Sequence, residues 1–293
     1  MLKVIQAELY KLFKNRTFRV LVVVGILLST LTIVMCSPVF DNIINDSLGD
    51  LPQEQKDALM QQMTSMSDSD AIVTPGQLGI QLQAKDMMNP TSIEVYHASF
   101  GSGIMEILIG ILVAALIAKE YSQGTIKNFL AYGKKREEFY LAKFVAMIVG
   151  IAIISAVMTI LPTVVVTMMN GWGQEFEFSQ VLGMVKTFVV SLTASSAVVA
   201  LVMVIATLVK SNGATIGITV AVFIGVPTFA GFLYGIYPWF DKIYEVLPFY
   251  NSALATSIKA GNVDLLRSLL IALVTIVISL FAGIRIFKAQ DIK

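Results

Sequence analysis

The residues of this chain that could do acid–base, nucleophilic or metal chemistry are few and scattered. His97 is its one histidine and Cys36 its one cysteine, so neither a two-histidine metal site nor an internal disulfide can form within one chain. The sequence contains no GxxxxGK(S/T) phosphate loop, no HExxH, no GxSxG and no glycine-rich dinucleotide turn. We interpret His97 as an interfacial residue, and we expect no catalytic site, cofactor or metal on this chain.

The richest polar stretch is residues 119–143, a basic segment of 25 residues that separates two long apolar runs. Gly124 interrupts the preceding helix, and Thr125 can cap a short new one. That new helix has apolar residues at the i, i+3, i+4 spacing of a single face, namely Ile126, Phe129 and Leu130. A short helix with one apolar face is suited to a groove on a partner protein. The alternative is that this face packs back on the membrane.

Polar side chains within or beside the apolar runs are costly in a bilayer and mark candidate solute pathways. Four are candidates here: Glu106, Lys186, Ser191 and Ser195. Glu106 lies about six residues into the second run, roughly 9 Å deep at about 1.5 Å per residue. It could contact a cationic solute, pair with Lys186, or snorkel at a shallow interface. Ser191 and Ser195 are one helical turn apart, which is typical of close helix packing and also suits a pathway wall.

The elements that must position these residues are membrane-spanning helices. The chain is 56% hydrophobic and 14% charged, with a mean hydropathy of +0.77. Crossing about 30 Å of hydrocarbon takes roughly 20 apolar residues in a helix. Six runs qualify, at residues 20–36, 100–118, 144–169, 188–209, 214–237 and 269–287. The predicted fold class is an all-α polytopic membrane protein, with a kink or tilt at Pro162 in the long third run.

The charge distribution predicts the orientation of these six helices. With both termini cytoplasmic, 15 of the 21 basic residues but five of the 20 acidic ones fall on the inner side. This sorting satisfies the positive-inside rule and places residues 119–143 in the cytoplasm. Residues 1–17 predict an interfacial elbow helix, and residues 18–293 a six-helix transmembrane domain. Residues 37–99 form an acidic outer loop, which either helps to select cationic amphipathic solutes or is an ordinary solvated loop.

Three segments resemble one known family. The stretch EYSQGTIK at residues 120–127, followed by Arg136 and Lys143, resembles the loop signature of permeases of the ABC transporter type 2 exporter family. ELYKL at residues 8–12 resembles the entry helix of those permeases, and FKAQDIK at residues 287–293 resembles their C-terminal tail. The similarity covers essentially the full chain. It is closest in character to bacterial permeases for bacitracin resistance, lantibiotic immunity, sodium export and peptide export.

The resemblance implies the transmembrane subunit of an ATP-driven exporter, which expels an antimicrobial or toxin peptide, an antibiotic or a lipid-like molecule. Two separate ABC ATPase subunits would bind ATP and magnesium, and the permease would pair with a second copy or a sister chain. It would lie in the bacterial cytoplasmic membrane and bind no nucleic acid. The implied ATPase-coupling residues are Glu120, Gly124, Thr125, Ile126, Phe129, Leu130 and Arg136. The alternatives are a sodium exporter permease, or a membrane sensor or assembly partner that moves no solute.

Overall fold

The computed structural model describes residues 1–37, 71–84, 89–126 and 135–290, with isolated positions between 40 and 58. In these residues the regular structure is helical, apart from one antiparallel bridge between Gly79 and Ser102. The α-helices are α1 Leu2–Lys14, α2 Arg16–Met35, α3 Ser92–Ala98, α4 Ile104–Val113, α5 Lys119–Ser122, α6 Arg136–Asn170, α7 Phe178–Val209, α8 Asn212–Val220, α9 Val226–Gly231, α10 Pro238–Tyr244, α11 Pro248–Thr256 and α12 Asn262–Ala289. The predicted helical fold class is thus confirmed for the described residues.

Among the described residues, five helical units are long and apolar enough to cross a membrane: α2, α6, α7, the α8–α9 unit and α12. The second predicted run, residues 100–118, is not among them. In its place a helical segment extends from Ile104 to Ser122, through α4, a π-helical turn and α5. The segment contains three charged residues, which are Glu106, Lys119 and Glu120. A sixth span therefore stays a prediction.

The long helices extend beyond the apolar runs that predicted them. Helix α6 has 35 residues and continues through Pro162, so at about 1.5 Å per residue it is far longer than a bilayer core is thick. It begins at Arg136, while α5 covers Lys119–Ser122. Both ends of the predicted cytoplasmic loop are consequently helical, and polar side chains at these ends can contact neighbouring helices.

Two π-helical turns interrupt neighbouring helices. Ala114–Ala118 separates α4 from α5, and Ala221–Gly225 separates α8 from α9. Helix α8 packs against α4 and against the first of these turns, whose five residues are all buried. Because π-helical turns are rare and occur frequently at functional sites, this helix pair is a structurally distinctive part of the bundle.

The main hydrophobic core joins the N-terminal helix to the long helices. Helix α7 packs along α12, α2 packs along α6, and α1 lies across α6. On α1, Val4 and Leu12 are buried while Leu2 and Tyr10 are exposed, so one apolar face contacts the protein and another points outward. The chain turns at Asn15, whose side-chain oxygen accepts hydrogen bonds from the first backbone N–H groups of α2. This N-cap fixes α1 relative to α2.

Candidate functional site

A cluster of four charged side chains joins α1, α5 and α6. Lys143 Nζ lies 2.7 Å from Glu8 Oε2 and 2.9 Å from Glu120 Oε2. Lys11 Nζ lies 2.7 Å from Glu8 Oε1 and 3.4 Å from Glu120 Oε1. The side chains of Lys143 and Glu8 are only 2% and 3% exposed. We call these four residues the ion cluster.

Local helix geometry explains how the ion cluster forms. Glu8 and Lys11 are three residues apart on α1, so their side chains share one face of that helix. The same face carries the buried Leu12, which anchors α1 against the core and brings Glu8 to Lys143. Glu120 reaches the cluster from the first turn of α5. Each carboxylate therefore contacts both ammonium groups.

The electrostatics of the ion cluster favour charged side chains at both positions on α1. Burial alone raises the pKa of Glu8, but attraction to Lys143 and hydrogen bonds from Lys11 and Lys143 outweigh burial and lower that pKa. Burial acts to lower the pKa of Lys11, and its contacts with Glu8 and Glu120 reverse this and raise it. Both groups consequently stay charged at neutral pH. The buried pair of Lys143 and Glu8 resists disruption, because removal of one member leaves an uncompensated buried charge.

A second contact set ties the start of α6 to the end of α12. Arg136 Nη1 donates to the backbone carbonyls of Phe287 at 2.9 Å, Lys288 at 3.0 Å and Gln290 at 2.7 Å. These carbonyls include ones left unpaired at a helix C-terminus, and a cation there also complements the helix dipole. Phe287 itself is 1% exposed and stacks on Phe139. Arg136, predicted as an ATPase-coupling residue, thus contacts the protein's own C-terminal helix.

The other predicted coupling residues lie in different environments. Glu120 belongs to the ion cluster, and Gly124 turns the chain in the left-handed region at φ +67°, which favours glycine. Thr125 is exposed, and its hydroxyl donates to the Glu120 carbonyl at 3.3 Å. Ile126 is 1% exposed and belongs to the main core, so its side chain is not free for a partner in this structure. The two further members of the predicted apolar face lie outside the described residues: Phe129 and Leu130.

Sequence reasoning assigned no role to the other three members of the ion cluster. Glu8, Lys11 and Lys143 were noted only as members of the motifs that resemble the family. One signal was available, because Glu8 is the single acidic residue among the first 19, which include five basic ones. An isolated acid on the apolar side of an amphipathic helix indicates a buried partner.

The predicted pathway residues fall into two places. Three of them line one cavity of about 50 Å³, between α4, α7 and α11: Glu106, Ser191 and Ser195. There Ser252 Oγ donates to Glu106 Oε1 at 2.9 Å. Lys186 lies elsewhere and donates to Asn262 Oδ1. The suggested pairing of Glu106 with Lys186 is therefore wrong, since the lysine bonds to the start of α12 instead.

His97 has a packing role. Its Nδ1 lies 2.9 Å from the carbonyl oxygen of Thr256, and its ring packs edge-on against Tyr96. Burial lowers the pKa of His97, partly opposed by the bond to Thr256, so the neutral ring is favoured at pH 7. No group of three or more metal-ligating side chains occurs in the part of the chain that the structure describes.

Long apolar helices, with charged side chains gathered at their ends, define a multi-pass membrane protein. The profile of the family described as "ABC-2 family transporter protein" matches residues 2–292, so the chain belongs to that family. It is the membrane subunit of an ABC-2 transporter, and such permeases work with ATPase subunits in transporter complexes. No curated protein matches the chain.

Proposed function

We propose that this chain is the permease of an ATP-driven exporter and that its ATPase subunits act on residues 119–143. Both termini and this segment would be cytoplasmic, with six spans that include the Ile104–Ser122 segment. The solute would be amphipathic, either a peptide, an antibiotic or a lipid-like molecule, expelled across a bacterial cytoplasmic membrane. Two ATPase subunits and a second permease, identical or related, would complete the complex, with ATP and magnesium bound by the ATPases.

The ion cluster is the observation that carries this proposal. Glu120 lies near the beginning of the segment and Lys143 at its end, and Lys143 pairs both with Glu120 and with Glu8 on α1. A displacement of the segment would therefore move α1 and α6 together instead of bending a free loop. Arg136 would transmit the same displacement to the end of α12. Through this arrangement, an external subunit that binds residues 119–143 would move several helices.

A partner protein can contact only the exposed part of residues 119–143. Thr125 is exposed beside the ion cluster, whereas Ile126 is buried. We therefore expect docking through Thr125 and the residues that follow the described part of the segment. The alternative reading, a sensor or assembly partner that moves no solute, predicts no ATPase at this surface.

The test is co-purification with the cognate ABC ATPase, sought in neighbouring reading frames by its phosphate-loop motif. A Thr125→Arg variant places a long cation on the docking surface without altering the ion cluster. The matched control is Gln174→Arg, at an exposed position in the predicted outer turn between α6 and α7. We expect the first variant to lose the ATPase and the second to retain it. Equal retention by both variants, or no ATPase with the unaltered chain, would contradict the proposal.

A further inference from the structure

The cavity beside Glu106 is lined by oxygen atoms that can accept hydrogen bonds. Its polar side chains are one carboxylate, one amide and seven hydroxyls, from Glu106, Gln77, Thr74, Ser102, Ser191, Ser195, Tyr244, Ser252 and Thr256. Glu106 Oε1 accepts from Ser252, whereas Glu106 Oε2 is buried and has no hydrogen-bond partner. Carboxylate and hydroxyl oxygens are the ligands that hard cations and ammonium groups prefer.

Glu106 also lacks a counter-charge among the described residues. None of the ion pairs found in that part of the chain includes it. A buried carboxylate oxygen without a hydrogen-bond partner or a counter-charge is unfavourable. A positively charged group in the cavity would offset that cost and satisfy Oε2.

A backbone segment covers this cavity on the side of the predicted outer loop. Residues 73–78 line the cavity, and both of their flanks are held. On one flank Ser257 Oγ donates to the Ile72 carbonyl at 2.7 Å, and on the other Gly79 N–H donates to the Ser102 carbonyl at 2.8 Å. In the middle the segment touches α9 so closely that a Cβ added at Gly231 would lie 2.6 Å from the Pro75 carbonyl oxygen.

The size of the cavity limits what can occupy it. About 50 Å³ is room for a few water molecules, because each needs about 10–15 Å³ on this measure. An entire amphipathic solute does not fit, but a single cation or the ammonium head of a larger molecule does.

We propose that the Glu106 cavity binds a small positively charged group, either a free monovalent cation or a protonated amine on the solute, beneath a cover formed by residues 73–78. The inference rests on the proposed transport function, because it names the part of the solute pathway that recognises charge. Its test uses the permease without any ATPase, so failure here and failure of the docking proposal are distinguishable.

The experiment measures how charge affects thiol labelling inside the cavity. A Cys36→Ser background removes the chain's one native thiol, and Ser195→Cys places a new thiol in the cavity wall. The full-length permease in detergent micelles reacts with aminoethyl methanethiosulfonate, which is cationic, or with the anionic sulfonatoethyl reagent. Val263→Cys, at a position that is 80% exposed, supplies the reference ratio of the two rates.

We expect the cation-to-anion rate ratio of the Ser195→Cys variant to exceed the reference ratio by at least about tenfold, given a carboxylate in a low-dielectric cavity. Adding Glu106→Gln should return the ratio to the reference value. Protection by sodium against a choline background would identify a free cation as the occupant, and protection by ethylammonium alone would identify an amine head.

Three results would overturn the inference. The first is a rate ratio equal to the reference, and the second is a high ratio that Glu106→Gln leaves unchanged. The third is no labelling by either reagent, even after Ser257→Ala removes one bond that holds the cover. In that case a charged group cannot reach the cavity.

Discussion

The ion cluster and the Glu106 cavity differ in how their charged side chains are paired. In the ion cluster two carboxylates and two ammonium groups pair with each other at 2.7–3.4 Å. In the cavity one carboxylate has a single hydroxyl partner, an oxygen without a hydrogen bond and open space beside it. A fully paired network holds helices in one arrangement, whereas an unpaired group beside a void is prepared for a ligand. This difference is the basis for proposing a mechanical role for the ion cluster and a binding role for the Glu106 cavity.

Lys143→Met should have the largest effect on stability. It leaves the buried Glu8 and the half-buried Glu120 facing an apolar side chain, and breaking the buried Lys143–Glu8 pair in this way costs about 3–5 kcal/mol. Equilibrium unfolding in mixed micelles measures the loss. Adding Glu8→Gln should restore part of it, because the second substitution removes one uncompensated charge. A loss below about 1 kcal/mol for Lys143→Met would show that the cluster does not hold these helices together.

Glu8→Gln should cost less, about 1.5–3 kcal/mol, the range for a hydrogen bond to a charged group. It should also change the response to acid. The pKa of Glu8 lies below its ordinary 4.5 in the folded protein, so its stabilisation is present above pH 4.5 and disappears as pH falls through the folded-state value. Unfolding curves from pH 7 to 3 should therefore fall more steeply for the unaltered chain than for Glu8→Gln. Parallel curves would contradict a charged, paired Glu8.

Glu106→Gln should change stability by less than about 1 kcal/mol, and in the stabilising direction, because it removes an unpaired buried charge and keeps an acceptor for Ser252. The same unfolding assay, run beside Glu8→Gln, sharpens the comparison between the two regions. A destabilisation as large as that of Glu8→Gln would mean that Glu106 has a structural partner after all.

Lys186→Ala should have the smallest effect, about 0–1 kcal/mol, because its bond to Asn262 is exposed. It should also leave the labelling ratio of the Ser195→Cys variant unchanged. A changed ratio would indicate that Lys186 contributes to the field in the cavity despite its bond to α12.

Hydropathy predicted the helices well because membrane crossing imposes a simple length and composition. It predicted the ends of the helices less well, because charged residues can belong to a helix outside the apolar run. Arg136 is such a residue: it begins α6, and its side chain donates to a carbonyl of α12. Glu106, Ser191 and Ser195 line one cavity, and their role in a solute pathway stays a prediction.

Contacts between residues that are far apart along the chain could not be predicted from the sequence. Glu8 and Lys143 are 135 positions apart, and nothing local distinguishes a lysine that will be buried from one that faces solvent. Ile126 was predicted on a partner-binding face and is buried, because apolar periodicity shows a face and not what covers it.

We propose that residues 119–143 and α1 move as one body when ATPases act on them. Spin labels at Ser122, Tyr10 and Leu208, all exposed positions, can be introduced in pairs in a Cys36→Ser background. Distances would be measured in the purified transporter complex without nucleotide and with ATP trapped. We predict a constant Ser122–Tyr10 distance, a changed Ser122–Leu208 distance, and loss of the first result with Lys143→Met. A Ser122–Tyr10 distance that changes with ATP in the unaltered ion cluster would contradict the account.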